Sequence, residues 1–262
     1  VTRPSATRTP RATPAARVAT DASGDPYASQ VDALNPESYY RLGDTSATDE
    51  QGTSSGTAQT GVTTDPNGAL AGDTDPALAF NGNNDGYVYI PHSSAYEIDS
   101  GSISLWFKTT SVTNNDALFS KDASGTNTGG HLTISFNSNG SVEVRLQDRG
   151  NGNPSYYVTS TTTGLDDGQW HNVVFTFGAN GMELYIDGVL EDTDAYTGGM
   201  RGGSDTSAPN QEPIALGASR RISSSGDPND VSSHFLGSID ELAIVDQQLS
   251  AGHTGGGTSP GA

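Results

Sequence analysis

The sequence predicts an all-β protein in which two antiparallel sheets pack face to face as a sandwich. The apolar segments are short, and several of them alternate apolar and polar residues with the period of two that is typical of strands. Glycine accounts for 33 of the 262 residues, and glycine, asparagine and aspartate separate the apolar segments. No heptad pattern and no internal repeat is present. About a dozen strands joined by turns therefore favour a sandwich over a helical or α/β fold.

The chain begins with one predicted helix and a first strand. Residues 25–35 (DPYASQVDALN) space Tyr27, Val31 and Leu34 along one helical face, with Asp25 as the cap and Pro26 at the first helical position. Residues 37–44 (ESYYRLGD) form the first predicted strand. Residues 45–79 are polar and predicted to be irregular, apart from a short strand near residues 60–62.

Regular strand signals start at residue 78 and continue to residue 250. In GSISLWFKTT, Ile103, Leu105 and Phe107 fall on one face of a strand. The segment 166–193 reads as a hairpin, in which apolar runs at 173–177 and 182–186 flank the turn residues 178–181. The dipeptide Asp187-Gly188 predicts a second tight turn, because both residue types tolerate positive φ.

The formal charge of −19 is unevenly distributed along the chain. Residues 1–20 hold four arginines and no acid, whereas the remaining residues hold 8 basic and 31 acidic side chains, a formal charge of −23. An acid-rich surface with Lys108 and Lys121 as its only lysines is what solubility in concentrated salt selects, so we expect a halophilic source. An ordinary acidic secreted protein is the alternative. Binding to a nucleic-acid backbone is excluded for so acidic a body.

The two ends are predicted to lie outside the folded domain. Residues 1–24 form a basic arm, rich in Arg, Thr and Pro, that lacks the apolar residues needed to fold alone. Residues 251–262 form a flexible Gly-rich tail, and residues 25–250 form a single domain. The arm lacks the apolar stretch of a secretory signal, and no run of about 18 apolar residues predicts membrane insertion. The absence of cysteine excludes disulfides.

Four segments in order resemble the laminin-G-like, concanavalin A-like jelly-roll family. They are SYYRLGD with ALAFNGNNDGYVYIP, GSISLWFKTT, DDGQWHNVVFTFGANGMELYIDGVL, and FLGSIDELAIVDQQLS, which together cover about residues 27–250. The resemblance implies a two-sheet jelly roll whose first strand (37–44) lies beside the last (239–246). It also implies that Trp170 and His171 open a strand and that Trp170 packs at the edge of the sandwich.

Catalytic motifs of this fold are not found in the sequence. Glucanases that resemble this family carry Glu-x-Asp-x-x-Glu, which projects two carboxylates onto one face. Glu97 and Asp99 begin such a pattern, but Ser102 stands where the second glutamate is required. No nucleophile elbow G-x-S-x-G and no H-E-x-x-H zinc motif is present. We therefore expect a protein without enzymatic activity.

One loop suggests a structural calcium ion. In NGNNDG (81–86), the residues Asn81, Asn83 and Asp85 match the first, third and fifth positions of a calcium loop, but His92 occupies the twelfth. The family resemblance supplies Asp240 as the further ligand. The alternative is a polar turn in which Asn81 and Asp85 bond their own backbone. A pentraxin-type calcium site is disfavoured, because Arg220 and Arg221 follow the corresponding strand.

Aromatic and basic residues in loops and at strand ends are candidates for a glycan-binding site. Strand alternation requires one residue of the pair Tyr156 and Tyr157 to face the core. The loop 194–213 is long and polar, as functional loops often are. The candidates are Tyr156, Tyr157, Tyr196, Arg149 and Arg201, with Arg220 and Arg221 as further loop cations.

These observations favour a non-catalytic protein that recognises a glycan or glycoprotein on an exterior surface, either extracellular or on a cell. Two alternatives stay open. One is a decoration protein of a larger assembly such as a virus particle, in which residues 1–20 dock into an acidic neighbour or a second copy. The other is a carbohydrate-binding accessory module of a larger secreted enzyme.

Overall fold

The computed structural model describes residues 26–122, 130–149, 152–202, 209–220 and 230–250. The predicted arm (1–24) and tail (251–262) lie outside the described residues. One helix, α1 (Pro26–Ala33), precedes the strands, and Ser94–Tyr96 form a single 3₁₀ turn. The strands are β1 (Ser38–Tyr40), β2 (Thr57–Ala58), β3 (Val62–Asp65), β4 (Ala77–Asn81), β5 (Val88–Ile90), β6 (Gly101–Lys108), β7 (Ala117–Lys121), β8 (His131–Phe136), β9 (Val142–Gln147), β10 (Ser155–Thr159), β11 (Trp170–Phe177), β12 (Met182–Ile186), β13 (Val189–Asp194), β14 (Ile214–Leu216) and β15 (Leu236–Val245).

The strands form two antiparallel sheets, which confirms the predicted fold class. The eight-stranded sheet has the order β13-β12-β11-β6-β15-β4-β3, with β1 paired to β15. The seven-stranded sheet has the order β10-β9-β8-β7-β14-β5-β2. The predicted neighbourhood of the first and last strands is also confirmed, because Tyr40 pairs with Leu242. The first strand is shorter than predicted, since Leu42 has a φ of 59° that a strand does not continue through.

The main core lies between the two sheets. Ile103, Leu105 and Phe107 are fully buried on the face of β6 that alternation predicts. The ring of Phe107 contacts Phe136 of the opposite sheet edge-on at 5.3 Å, and Phe136 stacks on Phe235 at 6.1 Å. These aromatic contacts stabilise the packing of the two sheets in addition to the burial of apolar surface.

Helix α1 and the loop before β4 cover the outward face of the eight-stranded sheet. Trp106 and Trp170 are buried there with Ala69, Leu70 and Ala77, and Tyr27 meets Trp106 edge-on at 6.4 Å. Trp170 opens β11 as the resemblance implied, and the Lys108 ammonium lies 4.7 Å from its ring centroid. No helix within the described ranges has the length and hydropathy that a membrane crossing requires.

The segment Gly237–Glu241 of β15 ties distant parts of the chain together. The pairing of β15 with β6 shifts register between Asp240 and Ala243, and Glu241 has a φ of 53°, as expected of a β-bulge. The Asp240 carboxylate accepts a hydrogen bond from the Ala69 amide at 2.8 Å, and Tyr39 donates to the buried Glu241. Asp240 therefore fixes the loop that covers the sheet, and Glu241 fixes strand β1.

Candidate functional site

Strand β10 places Tyr156 and Tyr157 on opposite faces of the seven-stranded sheet. Tyr156 pairs with Leu146, a core residue, and packs against the main core. Tyr157 pairs with Arg145 and leaves 44% of its surface exposed. Because paired residues share a face, Tyr157 and Arg145 both point outward. The two predicted tyrosines therefore have different environments, and Tyr157 is the one that solvent reaches.

Tyr156 and Tyr196 form a stacked pair at the edge of the core. Their ring centroids are 3.7 Å apart and the ring planes differ by 8°. Burial raises the pKa of the Tyr196 hydroxyl, and the nearby Asp148 carboxylate raises it further. Each ring covers one face of the other, so the pair closes the sandwich between β10 and the segment after β13. The structure gives these two tyrosines a packing role.

The two predicted arginines come together at one rim of the sandwich. The Arg149 amide donates to the Gly202 carbonyl at 2.9 Å, which places Arg149 beside the backbone of Arg201. The Arg201 amide in turn donates to Ile98 at 3.0 Å. The Arg201 side chain is 32% exposed and lies 3.8 Å from the Asp99 carboxylate. Residues far apart in sequence thus form one basic rim.

A polar outward face on the seven-stranded sheet was not predicted from the sequence. The outward positions of β8 are His131, Thr133 and Ser135, and those of β9 are Glu143, Arg145 and Gln147. The signal was present in HLTISF and VEVRLQ, which alternate polar and apolar residues. Arg145 is only 5% exposed and Gln147 only 6%. Buried polar side chains on the outward face of a sheet distinguish this face from an ordinary solvated one.

The segment after β14 is held by hydrogen bonds over part of this outward face. The fully buried Asp122 carboxylate accepts from Thr133 at 2.9 Å and from Ser219 at 2.5 Å. Ser120 donates to the Ala218 carbonyl at 2.9 Å, so the segment after β14 lies against the outward face. The part of the face around β7 is therefore covered. Because Arg145 and Gln147 of β9 are buried too, the accessible part lies at Tyr157 on β10.

Gln147 provides an unsatisfied buried acceptor next to this accessible part. Its Nε2 donates to the Asn153 carbonyl at 2.9 Å, whereas its buried Oε1 receives no hydrogen bond from the part of the chain that the structure describes. A buried acceptor without a donor is costly and marks a position where a ligand hydroxyl or a water molecule belongs. We refer to Arg145, Gln147, Arg149 and Tyr157 as the β9–β10 surface.

A buried lysine supports the rim behind this surface. The Lys121 ammonium donates to the carbonyls of Asn210 and Glu212, both at 2.7 Å. Burial lowers the pKa of Lys121 from 10.5 to about 7, although the Glu212 and Glu97 carboxylates oppose the decrease. Asn210 continues the contact, since its amide donates to the Arg201 carbonyl at 2.6 Å. This network holds the segment that carries Arg201.

The three predicted metal ligands do not form one site, which corrects the sequence-based prediction. Asn81 donates to Asp85 at 2.9 Å and Thr60 donates to the same carboxylate at 3.0 Å, as in the alternative of a polar turn. Asp240 lies elsewhere, because Asn81 pairs with Leu236, four residues earlier on β15. At a rise of about 3.3 Å per residue, this register separates Asp240 from the loop by roughly 13 Å.

In the structure protein donors occupy the Asp85 carboxylate, and calcium binding at this loop stays a prediction. The Asp85 oxygens accept protein donors, and these hydrogen bonds lower the pKa of its carboxyl group. Within the ranges that the structure describes, no three acidic or histidine side chains are arranged to hold a metal ion. Arg220 and Arg221 follow the strand where a pentraxin-type calcium site would lie. Arg220 forms an ion pair with Glu212 at 2.5 Å, and Arg221 lies outside the described residues.

One cavity among the described residues lies away from the β9–β10 surface. It has a volume of about 240 Å³ and is lined by Arg41, Asp44, Glu50 and Asp75 together with Leu42, Gly43 and Thr48. Among the described residues no aromatic side chain lines it, and Arg41 is held there by Asp73 at 2.5 Å. Its lining therefore lacks the stacking surface that a glycan site uses.

The fold defines a class of protein, a jelly-roll sandwich of two antiparallel sheets. The family model described as the concanavalin A-like lectin/glucanases superfamily, Laminin_G_3, matches residues 80–253. This match covers more than half of the chain, and the protein belongs to this laminin G-like family. No curated protein matches the chain in sequence.

Several solved structures share the fold. Domain 4 of the extracellular arabinanase AbnA from Geobacillus stearothermophilus, in complex with arabinotriose, has a TM-score of 0.54 and 22% identity and covers 84% of this chain and 96% of that domain. The sialidase CBM40 of Ruminococcus gnavus, bound to α2,3 sialyllactose, has a TM-score of 0.50 and 18% identity over 63% of this chain and 86% of that one. The binding domain of paraclostridial mosquitocidal protein 1 has a TM-score of 0.55 and 16% identity over 79% of this chain.

These likenesses establish the fold. The chain spans about half the length of the mosquitocidal binding domain, 48% of which it covers. Its correspondence to domain 4 of the arabinanase, by contrast, extends over nearly the whole of that domain.

Proposed function

We propose that this protein is a non-catalytic module that binds a glycan at an exterior surface through the β9–β10 surface. The observation that carries the proposal is the exposed Tyr157 ring on the same face of the sheet as Gln147, whose buried Oε1 receives no hydrogen bond from the described residues. An aromatic ring offers an apolar face on which a sugar ring stacks. A small number of fixed polar groups then determines orientation, as in most small-ligand sites.

The solved structures support a glycan as the ligand class. The arabinanase domain is in complex with arabinotriose, and the sialidase module is bound to sialyllactose. Both share the jelly-roll sandwich with this chain at low sequence identity. The proposal therefore takes the ligand class from this analogy and the position of the site from the residues of this chain.

The absence of catalysis is part of the same proposal. Ser102 stands where the glucanase pattern requires a glutamate, so β6 does not project the pair of carboxylates that glycoside hydrolysis needs. His171 lies between two carboxylates, Asp187 at 2.8 Å and Asp167 at 3.2 Å, both of which it binds through its ring nitrogens. His171 therefore links the loops that carry Asp167 and Asp187. Among the described residues, the arrangement includes no nucleophile.

A second candidate function is that of an accessory module within a larger secreted enzyme. The observation that favours it is the match to one domain of an extracellular arabinanase over 96% of that domain. An accessory module and an independent adhesion protein would use the same surface. The decoration-protein alternative depends on residues 1–20, which lie outside the described residues, and stays a prediction.

The test is a glycan array followed by titration calorimetry with the best ligand. We expect Tyr157→Ala to weaken binding at least about tenfold, because loss of an aromatic stacking contact in a binding site commonly costs this much. Val189→Ala is the matched control, since Val189 is 60% exposed on a different strand. The proposal fails if no glycan binds the wild-type protein, or if Tyr157→Ala binds as tightly as the control.

A further inference from the structure

We infer that the side chains of Lys121 and Asn210 react with each other to form an intramolecular amide bond, with release of one molecule of ammonia. The two residues are 89 positions apart in the sequence, and both are buried, Lys121 with 0% and Asn210 with 1% of its surface exposed. The Lys121 Nζ atom lies 3.3 Å from the Asn210 Oδ1 atom. Both residues lie outside the β9–β10 surface, so the inference does not depend on glycan binding.

The surroundings of Lys121 favour the neutral amine, which is the form that attacks a carbonyl carbon. Its Nζ contacts the backbone carbonyls of Asn210 and Glu212, both at 2.7 Å, and forms no ion pair with a carboxylate of the described residues. Burial lowers the pKa of Lys121 to about 7; the Glu212 and Glu97 carboxylates oppose this decrease, and the Arg149 charge adds to it. A desolvated lysine of this kind is a nucleophile near neutral pH.

His92 is placed to accept the proton that Lys121 loses. Its Nδ1 lies 3.4 Å from the Lys121 Nζ atom, and its Nε2 lies 3.3 Å from Glu97 Oε1. The tautomer that donates its Nε2–H to Glu97 leaves Nδ1 as the acceptor that a general base requires. Burial and the Lys121 charge lower the pKa of His92 although the Glu97 carboxylate opposes them, so the ring is mostly neutral at pH 7.

The Asn210 carboxamide is held as the group that the amine attacks. Its Oδ1 accepts a hydrogen bond from the Glu212 amide at 3.0 Å, and this donor stabilises the negative charge that the oxygen gains during attack. Its Nδ2 donates to the carbonyls of Lys121 at 2.8 Å and Gly130 at 2.5 Å, which fixes its orientation. Because a C=O bond is about 1.2 Å long, Cγ lies no more than about 4.5 Å from Nζ. A shift of about 1 Å therefore brings the two atoms to the distance of about 3.5 Å from which attack proceeds.

The reaction balances without a cofactor or an oxidant. The Nζ lone pair forms a bond to Cγ of Asn210, His92 removes a proton from the attacking nitrogen, and charge collects on Oδ1. The Cγ–Nδ2 bond then breaks as Nδ2 takes up that proton, and ammonia leaves. The product is a secondary amide that joins β7 to the segment before β14. In a chain without cysteine, this bond would constrain the unfolded state as a disulfide does.

Mass spectrometry of the denatured full-length protein tests the inference. We expect a mass below that of the sequence by one ammonia, about 17 Da. Trypsin should fail to cleave after Lys121 and should release residues 109–145 joined to residues 202–220, with fragment ions that place the bond between Lys121 and Asn210. A wild-type protein that keeps the full sequence mass after incubation at pH 8 overturns the inference.

Variants distinguish this bond from other losses of ammonia. Lys121→Arg and Asn210→Ala should both have their full sequence mass. Lys108→Arg is the matched control and should keep the loss, because Lys108 lies 2.9 Å from the Asp65 carboxylate and has no carboxamide to attack there. A loss that persists in Lys121→Arg would belong to a succinimide at an Asn-Gly pair and would overturn the inference. The peptide map of the wild-type protein gives the same decision if a variant does not fold.

The rate of bond formation tests the roles of His92 and Glu97. The chain is purified in urea from inclusion bodies, and the reaction is started by refolding at pH values from 6 to 8.5. We expect the rate to rise about tenfold from pH 6 to pH 8 as the neutral fraction of Lys121 grows, and His92→Gln to lower it at least about tenfold at pH 8. Glu97→Gln should move the rise to lower pH, because Glu97 raises the pKa of Lys121. A rate that changes neither with pH nor in His92→Gln would contradict this mechanism of bond formation.

Discussion

At the scale of single residues, His171 links two loops that the sequence leaves unconnected. Its Nδ1 lies 2.8 Å from Asp187 and its Nε2 lies 3.2 Å from Asp167, so both ring nitrogens face carboxylates. Burial lowers the pKa of His171, but the hydrogen bonds and charges of Asp187 and Asp167 outweigh it, and the net pKa is raised above 6.5. Asp187 and Gly188 have φ values of 50° and 78°, which confirms the predicted tight turn.

This geometry predicts a pH-dependent contribution to stability. Because the folded-state pKa of His171 is raised, the protonated ring stabilises the fold fully at pH values below its ordinary pKa of 6.5. This stabilisation is lost as the pH rises through the folded-state pKa. We expect the stability difference between the wild-type protein and His171→Gln to shrink from pH 6 to pH 8.5, measured by urea unfolding.

The measurement follows the difference in unfolding free energy between the wild-type protein and His171→Gln. Lys121 is present in both proteins and, as a free amine, changes the stability of each with pH in the opposite direction. Its folded-state pKa is lowered to about 7, so the unfolded chain binds more protons above that pH and stability rises with pH. A stability difference that stays constant or grows over this interval would show that the two carboxylates do not stabilise the protonated ring.

At the scale of elements, carboxylates on β13 close the sandwich at the edge where the two sheets meet. The Glu191 carboxylate accepts from the amides of Thr161 and Thr162 at 2.8 and 2.9 Å, and Asp192 accepts from the Thr159 amide at 2.8 Å. Strand β13 is an edge strand, and charged side chains on such edges also oppose pairing with another chain. These carboxylate oxygens accept hydrogen bonds from amides that do not pair with a strand among the described residues.

We expect Glu191→Gln to destabilise the fold by about 1 kcal/mol, because a charged acceptor of two amides is replaced by a neutral one. The pKa of Glu191 is lowered, since these hydrogen bonds outweigh burial, so its contribution is present above the ordinary pKa of 4.5 and is lost as the pH falls through the folded-state value. Urea unfolding at pH 7 measures the change. Glu50→Gln, at an exposed position, is the control. Equal stability of the two variants would contradict this role of Glu191.

At the scale of the whole molecule, charge is the dominant feature. Within the described ranges, the basic residues lie mostly around one sheet, so the remaining surface is acidic over a wide area. Repulsion among these carboxylates opposes the compact state at low ionic strength. The expected halophilic character is a proposal that depends on this repulsion.

We expect the melting temperature to rise by several degrees from 0.01 M to 1 M NaCl. The Debye length falls over this range from about 30 Å to about 3 Å, which screens repulsion across the acidic surface. Differential scanning calorimetry measures the effect, and sucrose of matched viscosity is the control for a general solvent effect. A melting temperature that does not depend on salt would exclude the halophilic explanation.

The sequence by itself determined the fold class and most of the elements. Alternation in GSISLWFK assigned the inward residues of β6, and the turn residues Asp187-Gly188 located the end of β12, because both signals depend on neighbouring residues alone. Alternation also showed that Tyr156 and Tyr157 face opposite sides. It did not show which side was the core, since this depends on the pairing of β10 with β9.

Only the tertiary structure decided which distant residues meet. The register between β15 and β4 separates Asp240 from Asn81, and a hydrogen bond between residues 149 and 202 brings the two predicted arginines to one rim. The role of Asp122 likewise depends on Ser219, 97 residues away. Such contacts are set by strand order and by how the two sheets pack, which local propensity does not encode. The buried acceptor of Gln147 became visible for the same reason, because burial is a property of the assembled sandwich.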